Sequence, residues 1–218
     1  LIARATETED AALAVAGITN SEGAEASWGQ SRIALAASNG FAGRYQGSNH
    51  SIAVSVLAGT GTAMESDYDY SSAIFGSDLT DPVEIGRSAA DRALKKLGAR
   101  KPPSAKVPVV FDPRVSGGLV RHLTSAINGA AIARGTSFLK DKMGQAVMSS
   151  GITIVDDPHR ARGLASKPFD AEGLANKRRN LVENGILQTW ILDLRAARQL
   201  GLTSTGHASR GTSSPPSP

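Results

Sequence analysis

A strict alternation of side chains over residues 51–57 constrains the fold more than any other feature of this sequence. Ile52, Val54 and Val56 carry branched apolar side chains, and a serine or an alanine stands between them. Successive side chains of a β-strand point to opposite faces of a sheet, so a period of two residues predicts a strand with one apolar face. The other face is mostly polar and suits an antiparallel sheet that is covered on one side.

Turn residues divide the surrounding sequence into further short strands. Asn39-Gly40 predicts a hairpin turn, because these residues readily take the positive φ values of a tight turn. A strand is expected before the turn at residues 32–36, and others after it at residues 44–46 and 64–70. These elements together predict a β meander.

A helix is predicted to follow the meander from Asp81 to Leu97. Asp81 can cap the free amides of the first turn, and Pro82 suits the first helical position. Gly98 suits the position after the helix, where φ is often positive. The next residues, Arg-Lys-Pro-Pro, cannot continue a helix and predict a linker.

A second set of elements is predicted beyond the linker. Short strands are expected at residues 107–111 and 152–155. A helix is expected at residues 116–134, where small and apolar residues recur with helical spacing. A hairpin is expected at residues 178–193, around an Asn-Gly turn.

The linker places a domain boundary after residue 104. Residues 1–104 form the predicted meander plus helix, and residues 105–218 form the start of a second domain. The chain opens on leucine and closes on a run of serine and proline, so we interpret it as two segments of a longer protein. The predicted fold class is α+β, rich in antiparallel sheets with packed helices.

Composition excludes several classes of site. The chain has no cysteine, which rules out disulfides, thiolate metal sites and a cysteine nucleophile. No apolar run approaches the roughly 18 residues of a membrane span, and no signal peptide opens the chain. We therefore expect a soluble protein of the cytoplasm.

Charge is distributed unevenly along the chain. Residues 1–100 carry 8 basic and 12 acidic residues, whereas residues 101–218 carry 16 basic and 8 acidic residues. A basic half can meet nucleic acid or an acidic peptide. No aromatic residues interleave with the basic ones to stack on bases, so we favour a solvated basic face over a nucleic-acid interface.

Three blocks of sequence in the second half carry a resemblance to a known family. The first block is Ala-Arg-Gly-Thr-Ser at 133–137, followed by Met-Gly-Gln at 143–145. The second is Thr-Ile-Val-Asp-Asp at 153–157. The third is Leu-Val-Glu-Asn-Gly-Ile-Leu at 181–187, followed by Ala-Ala-Arg at 196–198 and Thr-Ser-Thr-Gly-His at 203–207. In this order and spacing, residues 107–211 resemble the C-terminal domain of the TldD/PmbA family, also called modulators of DNA gyrase or peptidase U62. Residues 1–100 resemble the middle region of that family less distinctively.

The family has a metal-bearing kind of subunit with a His-Glu-x-x-x-His motif on the helix before the Gly-Thr-Ser block. Two such histidines can bind zinc, and the glutamate can take a proton from a zinc-bound water. The corresponding positions here are Val120, Arg121 and Ser125, and His122 stands alone nearby. The chain therefore resembles the PmbA (TldE) branch, which implies no catalytic residue, no metal ligand and no cofactor in this chain.

The resemblance also implies partners. It predicts a heterodimer with a metal-bearing TldD-like subunit, which supplies the zinc, and a cleft that admits unfolded peptides for proteolysis or peptide maturation. In the family the Gly-Thr-Ser block borders the cleft. The candidate substrate-binding residues are Arg134, Gly135, Thr136, Ser137, Asp156, Asp157 and His207.

Other interpretations of the same residues remain open. Ser137, His159 and either Asp156 or Asp157 could form the triad of a stand-alone serine-type hydrolase, or Ser137 could cap a helix that starts at Phe138. The two adjacent aspartates with His159 could bind a metal, or they could cap a turn at a strand end. A basic protein that binds nucleic acid or gyrase is the remaining alternative.

Overall fold

The computed structural model describes all residues from Leu1 to Pro218. In chain order, the helices and strands are α1 (Ile2–Leu13), β1 (Ile18–Ala36), β2 (Ala42–Ala58), β3 (Glu65–Ala73), α2 (Pro82–Lys96), α3 (Pro113–Ala126), α4 (Gly129–Ala133), β4 (Ile154–Asp156), β5 (Arg179–Glu183), β6 (Ile186–Leu187) and α5 (Leu194–Leu200). The predicted α+β class with antiparallel sheets and packed helices is confirmed.

The chain forms two compact units that do not simply follow one another along the sequence. The first comprises residues 1–32, 46–106 and 162–164, and the second comprises residues 33–45, 107–161 and 165–218. The tip of the β1–β2 hairpin therefore belongs to the second unit. The domain boundary after residue 104 was placed from the sequence alone and stays a prediction.

The first sheet has the strand order β1-β2-β3, with β2 and β3 antiparallel. The predicted alternation on β2 is confirmed, since Ile52, Val54 and Val56 are at most 2% exposed. These side chains belong to one apolar core with Ala12 of α1 and Ala89 of α2. Small helix residues at this core let the two helices pack closely.

A glycine lies where α1 and α2 approach closely. A Cβ atom at Gly86 would lie 2.3 Å from the carbonyl oxygen of Thr8 and 3.1 Å from the Cβ of Ala11. Thr8 is fully buried, and its hydroxyl donates to the carbonyl of Arg4 one turn earlier. The hydroxyl is thus satisfied within α1, and only glycine fits the facing position on α2.

The second unit contains the sheet β4-β5-β6, which is antiparallel throughout. Its core includes Ile127, Val182 and Leu187, none of which is exposed, together with Trp190. Gly129 opens α4 against the segment that follows β6, where a Cβ would lie 2.5 Å from the side chain of Leu192. α4 is thereby seated directly on the core.

Several predicted turns and caps are confirmed. Gly40 in the β1–β2 turn has φ of 90°. Asp81 accepts hydrogen bonds from the amides of Val83 and Glu84 at the start of α2. Gly98 follows α2 with φ of 70°.

The strand predicted at residues 107–111 is wrong. This segment is irregular, and the side chain of Val110 is 96% exposed. The β-branched residues favour a strand locally, but Pro108 has no N–H for a ladder and no strand of the fold pairs with the segment. The local preference of these residues for a strand is therefore not supported by pairing with another strand.

The single helix predicted at residues 116–134 is also wrong. Asp112 caps α3, which begins at Pro113, three residues earlier than predicted, and the helix ends at Ala126. Asn128 then interrupts the helical run, because its side chain accepts a hydrogen bond from Ala130 and so starts α4 anew. An asparagine side chain commonly competes with the helix in this way.

The hairpin around Asn184-Gly185 is confirmed, with positive φ at both residues. Its predicted return strand is wrong beyond Leu187, since β6 has only two residues. Ile191 instead forms an isolated bridge with Asn128. No helix of the protein combines the length and the apolar character needed to cross a bilayer.

Candidate functional site

The Gly-Thr-Ser block begins as the end of α4. Gly135 has φ of 70°, and its amide donates to the carbonyl of Ile132 at 2.9 Å. The amide of Thr136 donates to the carbonyl of Ala131 at 3.1 Å, which completes a Schellman-type helix end. Arg134, Gly135 and Thr136 are exposed to solvent and available for contacts.

Ser137 has a different environment from the three residues before it. It is 7% exposed, its hydroxyl donates to the carbonyl of Ala126 at 2.6 Å, and its oxygen accepts from the amide of Leu139 at 3.0 Å. The Ser137 hydroxyl thus uses both its donor and its acceptor on backbone groups. The hydroxyl joins the turn after α4 to the end of α3. The helix predicted to start at Phe138 is wrong, since residues 138–141 form a turn, and Ser137 caps that turn instead.

The ring of His159 does not join Ser137 to an aspartate. Asp157 accepts a hydrogen bond from the backbone amide of His159 at 3.1 Å, and its other oxygen lies 3.5 Å from Nε of Arg178. A serine nucleophile needs a base within hydrogen-bond reach and an acid behind that base. This geometry favours a turn at the end of β4 over the triad.

Asp156 and His207 are brought together although 51 residues separate them in the chain. Oδ2 of Asp156 lies 3.0 Å from Nε2 of His207, and Nδ1 of the ring lies 2.8 Å from Oγ1 of Thr205. The side chain of His207 is 16% exposed and that of Asp156 is 34% exposed. The ring thus links the end of β4 to the polar loop of residues 203–208.

Thr205 connects this network to the core. Its oxygen accepts from the amide of Leu192 at 2.7 Å, and its hydroxyl is also 3.2 Å from the carbonyl of Leu192. When the ring of His207 is neutral and donates from Nε2 to the carboxylate, Nδ1 accepts the hydroxyl proton. When the ring is charged, Nδ1 donates to the hydroxyl oxygen and the hydroxyl proton turns to the carbonyl. Thr205 thus joins the imidazole ring to the backbone of Leu192.

Two neighbouring groups have no hydrogen-bond partner within the chain. They are the buried Oδ1 of Asn176 and the buried Nε of Arg179. Arg179 lies directly opposite Asp156 in the β4–β5 ladder, so the two side chains share a face of the sheet. This face therefore presents both signs of charge.

Sequence reasoning missed the residue that fastens the loops of this region. Asp170 is 2% exposed, and its Oδ1 accepts from the amides of Glu172 and Leu174 at 2.9 Å. Its Oδ2 accepts from the amide of Ala208 at 3.0 Å, next to His207. An aspartate three residues before Gly173 is a usual turn signal and was the available clue.

A second acidic side chain lies beside this clamp. Glu172 accepts a hydrogen bond from the amide of Leu194 at the start of α5, at 2.8 Å. Burial desolvates the carboxyl and raises the pKa of Glu172 above its ordinary value of 4.5, while the Leu194 bond works the other way. The nearby charges of Asp193 and Asp170 raise this pKa further, and Arg198 opposes them.

The second unit also contains a groove of about 570 Å³. Its lining includes the β1 segment 33–36 and the segment 209–212, which lies just after His207 in the chain. Tyr45, Phe169 and Lys167 line it as well. No sequence pattern predicted this juxtaposition, because its parts are far apart in the chain.

The side chains at the family's metal positions do not fit a zinc ion. Val120 and Arg121 offer no neutral or anionic nitrogen, sulfur or oxygen ligand, and Ser125 is an exposed hydroxyl. Across the chain, no three histidine, cysteine, aspartate or glutamate side chains are arranged to hold a metal ion.

Comparison with known proteins assigns both halves of the chain. Residues 1–97 match the PmbA/TldA metallopeptidase central domain, and residues 104–218 match the PmbA/TldA metallopeptidase C-terminal domain.

Individual relatives agree with these matches. The chain is 40% identical to metalloprotease PmbA of Escherichia coli O157:H7 over 205 residues, which is 94% of this chain and 46% of that protein. It is 37% identical to a metalloprotease PmbA homologue of Haemophilus influenzae, with the same coverage of each. The chain thus spans about half the length of these relatives.

A solved structure agrees as well. A crystal structure from Bacteroides thetaiotaomicron, described as a candidate modulator of DNA gyrase, superposes with a TM-score of 0.88 at 32% identity. The match covers 94% of this chain and 47% of that one. Together with the two domain matches, this likeness shows that the chain belongs to the TldD/PmbA family.

Proposed function

We propose that this chain is the non-catalytic, peptide-binding subunit of a two-subunit metallopeptidase, in which a TldD-like partner holds the zinc ion. The proposal places the protein in the cytoplasm, where the heterodimer degrades or matures unfolded peptides. Its relatives are named metalloprotease PmbA, which supports a role in peptide hydrolysis.

One observation carries the proposal. Val120, Arg121 and Ser125 occupy the positions on α3 where the metal-bearing subunits of the family have His-Glu-x-x-x-His. A catalytic zinc ion needs about three protein ligands and an open position for water. A cationic arginine next to the metal position would also repel the ion.

The exposed groups near α4 and β4 support a binding role. Arg134, Gly135, Thr136 and Asp157 are open to solvent, and Asp156 remains one-third exposed beside His207. We propose that these groups contact the peptide substrate. Ser137 supports them from beneath, through its two backbone hydrogen bonds.

The proposal is tested with the full-length protein, purified alone and with its metal-bearing partner. We expect the protein alone to leave an unfolded polypeptide such as reduced casein intact. We expect a stable one-to-one complex with the partner to cleave it and to contain one zinc ion, measured by light scattering and elemental analysis. Cleavage by this protein alone would contradict the proposal.

A matched set of variants tests which of the two subunits carries out the cleavage. Replacing a zinc-ligand histidine of the partner by alanine should abolish cleavage by the complex. Ser125→Ala in this chain should leave the cleavage rate unchanged, because that side chain has no role in the proposal. Residues of α3 in this chain can also be changed while the partner is left intact. Loss of zinc from the complex in such a variant would contradict the proposal that the partner alone holds the metal.

A further inference from the structure

The outer edge of β1 is open beside the groove. β1 is an outer strand of its sheet, and no backbone hydrogen bond joins its residues 33–36 to a segment outside that sheet. The amide of Ala37 donates across the hairpin to Phe41. Because the N–H and C=O of alternate residues face the same side, Ala36 and Ala34 present theirs outward, towards the open edge.

Residues 33–36 of this edge strand line the groove, which has the size of a ligand site. Its volume of about 570 Å³ lies within the roughly 300–1,000 Å³ range of such sites. An added strand lies about 4.8 Å from its neighbour. An extended peptide can therefore hydrogen-bond to residues 33–36 while it occupies the groove, the mode of binding in which a peptide adds a strand to a sheet.

The walls are held in place before any peptide binds. The ring of Phe169 meets Phe41 edge-on at 4.9 Å and Tyr45 at 5.2 Å between ring centres. Gly173 leaves room for this contact, since a Cβ there would lie 2.6 Å from the Phe41 ring. Preformed walls lower the ordering cost of binding.

The charges of the groove select one kind of peptide. Lys167 and Arg210 line it, and neither forms an ion pair with another side chain of the protein. Asp170 also lines it, but its carboxylate already accepts three backbone hydrogen bonds. The groove therefore offers a carboxylate two cations without an ion-pair partner, although Nε of Arg210 donates a hydrogen bond to the carbonyl of Gly211 at 3.4 Å.

We propose that this groove binds an extended acidic peptide by strand addition to residues 33–36, and that Lys167 and Arg210 hold a carboxylate of that peptide. The inference rests on the proposed peptide-binding role and adds to it a contact surface separate from the groups near α4 and β4. It concerns binding by this chain, which can be measured without the partner and without cleavage.

Binding is measured by fluorescence anisotropy with the full-length protein and a labelled ten-residue peptide of alternating serine and valine with one central glutamate. The same peptide with central glutamine should bind about tenfold more weakly, because it loses a charge-assisted contact. A form with methylated backbone nitrogens should not bind detectably, because methyl groups block strand pairing. A form with an amidated C-terminus distinguishes a side-chain carboxylate from a terminal one.

Protein variants complete the test. K167Q/R210Q should weaken binding of the glutamate peptide about tenfold at low salt and remove the preference over glutamine. The control K140Q/R195Q changes two exposed basic residues outside the groove and should leave binding within twofold. A34P should weaken both peptides, because it removes an outward N–H at an edge where proline is tolerated.

The possible failures can be told apart. Equal binding of the methylated peptide, an unchanged affinity in K167Q/R210Q, or no peptide binding would overturn the groove assignment. None of these results would affect cleavage by the complex with its partner. Conversely, binding in the groove without any active complex would sink the proposed function and leave the groove assignment standing.

Discussion

At the scale of single residues, three side chains hold loops that no regular secondary structure supports. His207 bridges β4 and the loop of residues 203–208, and Asp170 joins that loop to residues 168–176. Glu172 accepts a hydrogen bond from the amide of Leu194, the first residue of α5. Asp170 and Glu172 accept hydrogen bonds from backbone amides that would otherwise be unsatisfied, whereas His207 joins two side chains.

His207→Ala should lower the free energy of unfolding by about 1–2 kcal/mol, because it removes a bridge between a carboxylate and a hydroxyl. Urea denaturation of the full-length protein measures this. His159→Ala is the matched control and should cost little, since that residue is exposed and its hydrogen bond to Asp157 comes from the backbone amide. Equal stability of both variants would contradict the bridging role.

Asp170→Asn should be more damaging, at about 2–3 kcal/mol, because an amide nitrogen would then face a backbone N–H in a buried site. Asp141→Asn changes an exposed aspartate and serves as the control in the same thermal or urea unfolding measurement. A variant as stable as the control would show that the three amides find other acceptors.

Glu172 predicts a dependence of stability on pH. Because its pKa is raised in the folded protein, the folded state holds the proton more tightly than the unfolded state. Stability should therefore fall as pH rises from 4.5 through the raised pKa. Glu172→Gln keeps an acceptor for Leu194 and should flatten this part of the profile, whereas Glu183→Gln, at an exposed site, should not.

At the scale of elements, close packing of helices depends on where glycine stands. Gly86→Ala would place a Cβ 2.3 Å from a backbone oxygen of α1 and should destabilise the first unit by about 1–3 kcal/mol. Gly117→Ala lies in α3 with no atom near its added Cβ and should stabilise by about 0.5–1 kcal/mol. Calorimetry should show melting temperatures that move in opposite directions.

Elements were predictable where local signals and tertiary partners agreed. The alternation on β2, the Asn39-Gly40 turn and the Asp81 cap each act over a few residues, and each is confirmed. The run at 107–111 has a strand-forming composition without a neighbouring strand. Strand pairing needs two segments, so the sequence of residues 107–111 alone cannot show that no other strand pairs with them.

The candidate site was predictable only in part for the same reason. Asp156 and His207 were named from the sequence, but their contact spans 51 positions and depends on the β4–β5 sheet and the core below Thr205. The groove joins residues 33–36, 169–171 and 209–212. No periodicity connects segments so distant in the chain.

At the scale of the whole molecule, the β1–β2 hairpin contributes to both units, and Phe41 seats its tip in the second. Phe41→Ala should raise amide exchange in residues 33–45 and leave the β2–β3 ladder protected. Phe138→Ala, at a side chain 81% exposed, is the control. Hydrogen exchange with mass spectrometry resolves these segments, and unchanged exchange at the tip would contradict the seating role.

The interleaving of the units bears on how such proteins can be divided or recombined. A gene cut at the proline linker would encode a second half without residues 33–45, so the aromatic partners of Phe169 would be missing from that polypeptide. Swapping halves between relatives at this linker would likewise mismatch the hairpin tip with its seat. A productive chimera has to carry residues 33–45 from the same parent as residues 165–175.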